Sequence, residues 1–129
     1  SMSNKKSKVY TCDIRDVRNS KYVNKFPENE VFTLGTSKEM SEKIITDGKK
    51  IDMYWIDGAH ENSNVLYDVI RLAKTQSNKS IWIFDDFNER FGAYREIQWL
   101  SNFNETRSLT LGPTASGKPN NMLILQGGF

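Results

Sequence analysis

The chain has 129 residues, of which 37% are apolar and 26% charged, so it is a single domain's worth of polypeptide with too much apolar content for a disordered chain. A net charge of +2 is too small to argue for nucleic-acid binding, and the lone cysteine, Cys12, excludes an internal disulfide framework or a Cys-rich zinc site. No run approaches the roughly 18–20 apolar residues of a membrane span, and no apolar stretch follows the lysines of SMSNKKSK, so a cytoplasmic protein is expected. Ser1 and Met2 read as an appended scar, residues 1–7 as a tail, and residues 8–129 as the domain.

Residues 8–14 (KVYTCDI) are β-rich and predict a strand ending near Asp13. A short helix is expected over 16–26, closed by Pro27 and Asn29. Residues 31–34 (VFTL) predict a second strand, ended by Gly35. In TSKEMSEKIITDG, Thr36 or Ser37 can cap a helix, Met40, Ile44 and Ile45 share a face, and Gly48 stops it. Residues 51–57 (IDMYWID) predict a third strand, apolar on both faces except at Asp52, as a buried parallel strand should be. A helix over 62–76 follows, with Val65, Leu66, Val69, Ile70 and Ala73 as its stripe. Residues 80–86 (SIWIFDD) predict a fourth strand, and 92–103 a helix turning Tyr94, Ile97, Leu100 and Trp99 inward.

The rhythm then changes. Residues 107–111 and 121–126 read as strands joined by the turn formers GPTASGKPN, hence a hairpin. Alternating strands and helices predict an α/β fold with a parallel sheet covered on both faces, the hairpin adding antiparallel strands at one edge.

Open parallel sheets bind ligands beyond the carboxyl ends of their strands. The residues there are Asp13, then Gly35, Thr36 and Ser37, then Asp57 and His60, then Asp85 and Asp86. Asp57, Asp85 and Asp86 have the oxygen chemistry for Mg²⁺, Ca²⁺ or Mn²⁺, or else they cap the turns that follow. His60, the only histidine, is a candidate general base near neutral pH or a solvated loop residue. Asp13 stands where doubly wound folds place the acid that accepts both ribose hydroxyls, or else it closes an Asx turn.

Residues 112–118 (GPTASGK) match the Gly-x4-Gly-Lys part of a phosphate-binding loop. Pro119 stands where that loop needs a hydroxyl, and a strand follows instead of a helix, so the stretch reads as a hairpin loop. Tyr54, Trp55, Trp82, Phe84 and Trp99 fall on strands and helix faces, which is core behaviour and not a base-stacking platform.

With Asp57-Gly-Ala-His60 and Asp85-Asp86-Phe87 in place, the chain resembles the class I S-adenosylmethionine-dependent methyltransferases, in particular the small-molecule and sugar O-methyltransferases. The stretches that carry the resemblance are IDMYWIDGAHENSNVLYDVIRLAK, IWIFDDFNERFGAYREI and LGTSKEM. It implies a Rossmann-like methyltransferase fold with Asp13 on the cofactor's ribose and Gly35, Thr36 and Ser37 near its adenine. Asp57, Asp85 and Asp86 would hold a divalent cation that orients a substrate hydroxyl, and His60 would take the hydroxyl proton. The family also begins with a strand and a Gly-rich turn, whereas no G-x-G occurs here and nothing ahead of Lys8 reads as that strand. The expectation is therefore an N-terminally truncated version of the fold, with a gap between the strands of Asp13 and Asp57 unless these pair directly, and with weak or absent cofactor binding. Two other functions fit the residues. One is a non-catalytic assembly module that dimerises through an exposed sheet edge, and the other is a metal-dependent hydrolase or nucleotide-binding protein.

Overall fold

The computed structural model describes residues 7–18, 29–58, 63–103, 105–113 and 119–129, with 106–113 and 119–120 by their backbone. Two short β-rich runs, β1 (Val9–Asp13) and β2 (Glu30–Leu34), pair in parallel with Val9 opposite Glu30 and Asp13 opposite Leu34. Gly35 leaves β2 at a φ of +152°, and Thr36 caps helix α1 (Ser37–Thr46). The cap is a reciprocal box: Thr36 Oγ1 accepts from Lys38 N at 3.2 Å, and Thr36 N donates to Glu39 Oε2 at 2.8 Å. Gly48, at φ +62°, ends the turn that follows.

The second half builds a four-stranded sheet in the order β3-β4-β6-β5. Strand β3 (Ile51–Ile56) runs parallel to β4 (Gln76–Phe84), and helix α2 (Asn64–Leu72) crosses between them. Helix α3 (Tyr94–Leu100) leads to the hairpin of β5 (Glu105–Pro113) and β6 (Pro119–Gln126), whose strands pair antiparallel, as β6 does with β4. The hairpin reading of GPTASGKPN stands, since Pro113 and Pro119 are register partners, while 114–118 lie outside the described residues.

Period-two alternation fixes the core. Tyr54 and Ile56, their partners Trp82 and Phe84, and then Leu125 and Leu123 line one face of the sheet. Against that face lie Ile44 of α1, Val65, Val69 and Leu72 of α2, and Ile97 and Leu100 of α3. Each such side chain contributes about 1.5–3 kcal/mol when buried. Tyr54 stacks on Trp82 at 3.8 Å between ring centroids, and its hydroxyl meets Thr75 Oγ1 at 2.8 Å.

Several expectations are corrected. Cover on both faces does not appear among the described residues: Met53 and Trp55 are 58% and 52% exposed on the face opposite the helices. Trp55 is therefore no core residue, and neither is Trp99, which is 54% exposed and lies edge-on to Phe103. Ile45 and Ile70 fall on the solvent sides of α1 and α2, because the buried stripes run through Ile44 and through Val65, Val69 and Leu72. Of the helix expected over 16–26, residues 16–18 are not helical and 19–26 lie outside the described residues. The expected gap is present: β1 pairs with β2 alone and β3 with β4 alone, leaving two separate sheets among the described residues.

Candidate functional site

The carboxyl ends of β1 to β4 converge on one rim. Gly35 N donates to Asp13 O at 2.8 Å, joining the ends of β1 and β2, and Asp85 N donates to Ile56 O at 3.0 Å, joining those of β3 and β4. The two halves meet at Asp68 of α2. Ser37 Oγ, just past β2, donates to Asp68 Oδ1 at 2.6 Å, and a Cβ on Gly58, just past β3, would lie 3.2 Å from Asp68 Oδ2. Arg71 Nη1 approaches Ser37 Oγ at 3.4 Å.

The individual residues divide by what their side chains already do. Asp13 Oδ1 accepts Arg15 N at 3.0 Å in an Asx turn, so the turn reading holds. The Thr36 hydroxyl is engaged in the helix cap, donating to Glu39 Oε2, and the buried Ser37 hydroxyl is engaged with Asp68. Gly35 lies close to the same cap, since a Cβ there would meet Glu39 Oε2 at 3.2 Å. Asp57 is exposed just beyond β3. Asp85 and Asp86 are half-buried, Asp86 sits at φ +51°, and Asp86 N donates to Asp85 Oδ1 at 2.8 Å. His60 lies outside the described residues.

The described side chains gather no cation-binding set. Among the described residues no three His, Cys, Asp or Glu side chains gather closely enough to hold one, so Asp57, Asp85 and Asp86 share the rim without forming a binding set. What does gather on the rim is negative potential around Cys12. Burial, then the carboxylates of Asp68, Asp13 and Glu39, push its thiol up to about 11. Glu39 goes the other way: hydrogen bonds from Thr36 and the backbone hold its carboxyl down at about 2.

Sequence reasoning missed Asp68 and Glu39 as organising groups. Glu39 was legible as the fourth member of a Thr-x-x-Glu capping box. Asp68 looks like any polar residue on the outer side of an amphipathic helix, and only the fold brings Ser37 and Gly58 to it.

The parallel pairs β1–β2 and β3–β4, the crossover helix α2 and the antiparallel hairpin of β5 and β6 make a Rossmann-like α/β fold. The comparisons narrow the class. The family described as Methyltransferase domain matches residues 1–87, and the chain belongs to that family. Among solved structures, it is similar to the N-methyltransferase NodS from Bradyrhizobium japonicum, crystallised with S-adenosyl-L-homocysteine. That match has a TM-score of 0.68 at 7% identity and covers 93% of this chain and 66% of NodS. It is similar to an rRNA methylase from Streptococcus thermophilus, with TM-score 0.62, 11% identity, and 95% and 76% of the two chains covered. A protein assigned as an O-methyltransferase from Klebsiella pneumoniae gives TM-score 0.68 at 11% identity over 94% and 62%. The chain thus spans just under two thirds of NodS and of the Klebsiella protein. No curated protein matches by sequence. No helix among the described residues is long and apolar enough to cross a membrane.

Proposed function

We propose that this chain carries the adenosine-binding half of an S-adenosylmethionine-dependent methyltransferase acting on a hydroxyl of a small molecule or sugar. The observation that carries the reading is Asp13 at the tip of β1, its Oδ1 accepting Arg15 N and its backbone carbonyl accepting Gly35 N, which sets an acid at the carboxyl ends of the paired strands β1 and β2. Support comes from the family match and from the S-adenosyl-L-homocysteine bound to NodS.

When bound, the cofactor supplies a methyl group activated on sulfonium sulfur. The Asp13 carboxylate would accept the ribose hydroxyls in charge-assisted bonds that fix the nucleoside. The Gly35–Thr36 backbone and Ser37 would border the adenine. Asp57, exposed just beyond β3, would contact the cofactor from the neighbouring strand end. His60 would take the proton from the substrate hydroxyl as general base. No step is assigned to a metal ion, because the rim carboxylates do not form a set for one.

The test is a titration of the ¹⁵N-labelled chain with S-adenosylhomocysteine, followed by amide chemical shifts, which register even millimolar binding. Shifts are expected at Asp13, Gly35, Thr36 and Asp57 and are expected to vanish in Asp13→Ala. Saturation without shifts at these positions, or binding unchanged by Asp13→Ala, refutes the assignment.

A further inference from the structure

Past the acids at the end of β4 the charge changes sign. Residues from 89–98, which follow that strand and run into α3, line an open cleft of about 650 Å³, inside the roughly 300–1,000 Å³ of small-molecule sites. The lining holds two guanidinium groups, Arg90 and Arg95, with the Tyr94 hydroxyl and the Gln98 amide. Among the described residues Glu89 is its only acid. Arg95 and Gln98 stand one helical turn apart on α3, while Ala93, Ile97 and Leu100 take the buried side.

The arginines are positioned without being neutralised. Asn88 Oδ1 accepts Arg90 N at 3.1 Å, and Phe91 N donates to Asn88 O at 3.0 Å. This turn sets the Arg90 guanidinium carbon 4.6 Å from the centroid of the Phe91 ring. The ring face attracts the cation and uses none of its N–H donors. Among the described residues no carboxylate forms an ion pair with Arg90 or Arg95, in contrast to Arg18, which is bound by Asp16 and Glu30. The loop is anchored as well: Phe87 N donates to Asn121 O of β6 at 2.8 Å, and the Phe87 and Tyr94 rings stack at 4.6 Å between centroids. Donors held in place before binding lose little freedom when a ligand arrives.

Electrostatics selects the ligand. Asp85 and Asp86 stand only a few residues ahead of the cleft, and they repel any anion that nothing receives. Two unpaired guanidinium groups beside them receive one. A neutral molecule leaves those groups to water and gains nothing from them.

We propose that this cleft is the oxyanion-binding subsite for the methyl acceptor, so that the substrate is a hydroxylated small molecule bearing a phosphate or carboxylate, such as a sugar phosphate or a sugar acid. This rests on the methyltransferase reading above. Arg90 and Arg95 grip the oxyanion, since the planar fork of a guanidinium matches either group. The Gln98 amide and the Tyr94 hydroxyl are the donors left for the sugar's own oxygens. A nucleic-acid backbone fits less well, because it asks for a row of cations and meets here a chain of net charge +2 with acids on its rim.

Glucose 6-phosphate, glucuronate, glucose and inorganic phosphate are titrated separately into the ¹⁵N-labelled chain of 129 residues without cofactor. One or both sugar anions are expected to shift the amides of Arg90, Gly92, Arg95 and Gln98, and the tighter of the two names the oxyanion. Glucose is expected to bind about tenfold or more weakly, and Arg90→Gln and Arg95→Gln each to weaken the anion by about tenfold. Lys79→Gln, which removes an exposed charge from β4, should leave binding unchanged. The proposal is overturned if neither sugar anion shifts these amides, if glucose binds as tightly, or if both arginine variants bind as the unaltered chain does. Inorganic phosphate binding as tightly as the sugar anions would mean an adventitious ion only and overturns it too. So does tighter binding of a single-stranded RNA of about ten nucleotides. Because no cofactor is present, a failure of S-adenosylhomocysteine to bind at Asp13 defeats the methyltransferase reading without altering these shifts. Cofactor binding with no shifts in the cleft defeats this proposal alone.

Discussion

Ser37 Oγ donates to Asp68 Oδ1 across 2.6 Å, and this bond fastens the first turn of α1 to the middle of α2. Ser37 is only 5% exposed, so its hydroxyl has little access to water when the carboxylate is removed. Hydrogen bonds to charged groups are worth about 1.5–3 kcal/mol. Asp68→Ala is expected to cost about that much, and Asp68→Asn, which keeps an acceptor, less. Urea unfolding checks both, with a lower midpoint and an unchanged slope as the expected result.

Gly35 and Gly48 both have positive φ, at +152° and +62°, but their surroundings differ. A Cβ at position 48 meets nothing within 4 Å, while one at position 35 lies 3.2 Å from Glu39 Oε2, inside the capping box. Gly48→Ala should therefore cost about 1 kcal/mol from backbone conformation alone. Gly35→Ala should cost about 1–3 kcal/mol and loosen the start of α1 as well. Thermal melts of the two variants, compared with exchange of the α1 amides, separate these outcomes.

Glu39 gives the stability a defined acid dependence. Its carboxyl sits at about 2 in the folded chain against an ordinary 4.5, so the folded state holds it ionised more strongly than the unfolded state does. The contribution is complete above about pH 4.5 and is lost as pH falls through 2. The melting temperature of Glu39→Ala is thus expected to lie below that of the unaltered chain at pH 7, and the difference to shrink as pH falls toward 2. A difference that stays constant over that range would show that Glu39 acts through packing instead.

How much of this was legible in the sequence depended on whether the signal was local. The capping box at Thr36 and the buried pairs Tyr54–Trp82 and Ile56–Phe84 follow from spacing and alternation, which report each element's own geometry. The exposure of Trp55 was not legible, because a strand apolar on both faces reads the same whether or not a helix covers it. Ile45 and Ile70 misled for a similar reason, since a helix face is about as wide as the error in its phase. On the rim, Asp13 and Gly35 could be placed from strand ends. The approaches of Ser37 and Gly58 to the Asp68 carboxylate join residues 31 and ten positions apart, which no periodicity encodes.

Cys12 should be a slow thiol. With its pKa raised to about 11 by burial and three carboxylates, about one part in a thousand is thiolate at pH 8. Reaction with Ellman's reagent is expected to be far slower than for a free cysteine. Asp68→Asn, which removes the largest of the three charge effects, should speed it, whereas Asp52→Asn, on a group absent from those causes, should not.

The position of α1 determines how the molecule comes apart. It places Ile44 in the core of the larger sheet, while Lys43 Nζ reaches Phe32 O of β2 at 3.2 Å and Tyr10 Oη of β1 reaches Asp47, just past the helix, at 2.7 Å. With no strand ladder between the two sheets among the described residues, this helix is a main coupling that decides whether they unfold as one cooperative unit or as two. Shortening Ile44 to alanine, a change of about 2–5 kcal/mol in a core, would weaken that coupling at its buried end. The small sheet would then melt ahead of the large one, and a single transition would become two.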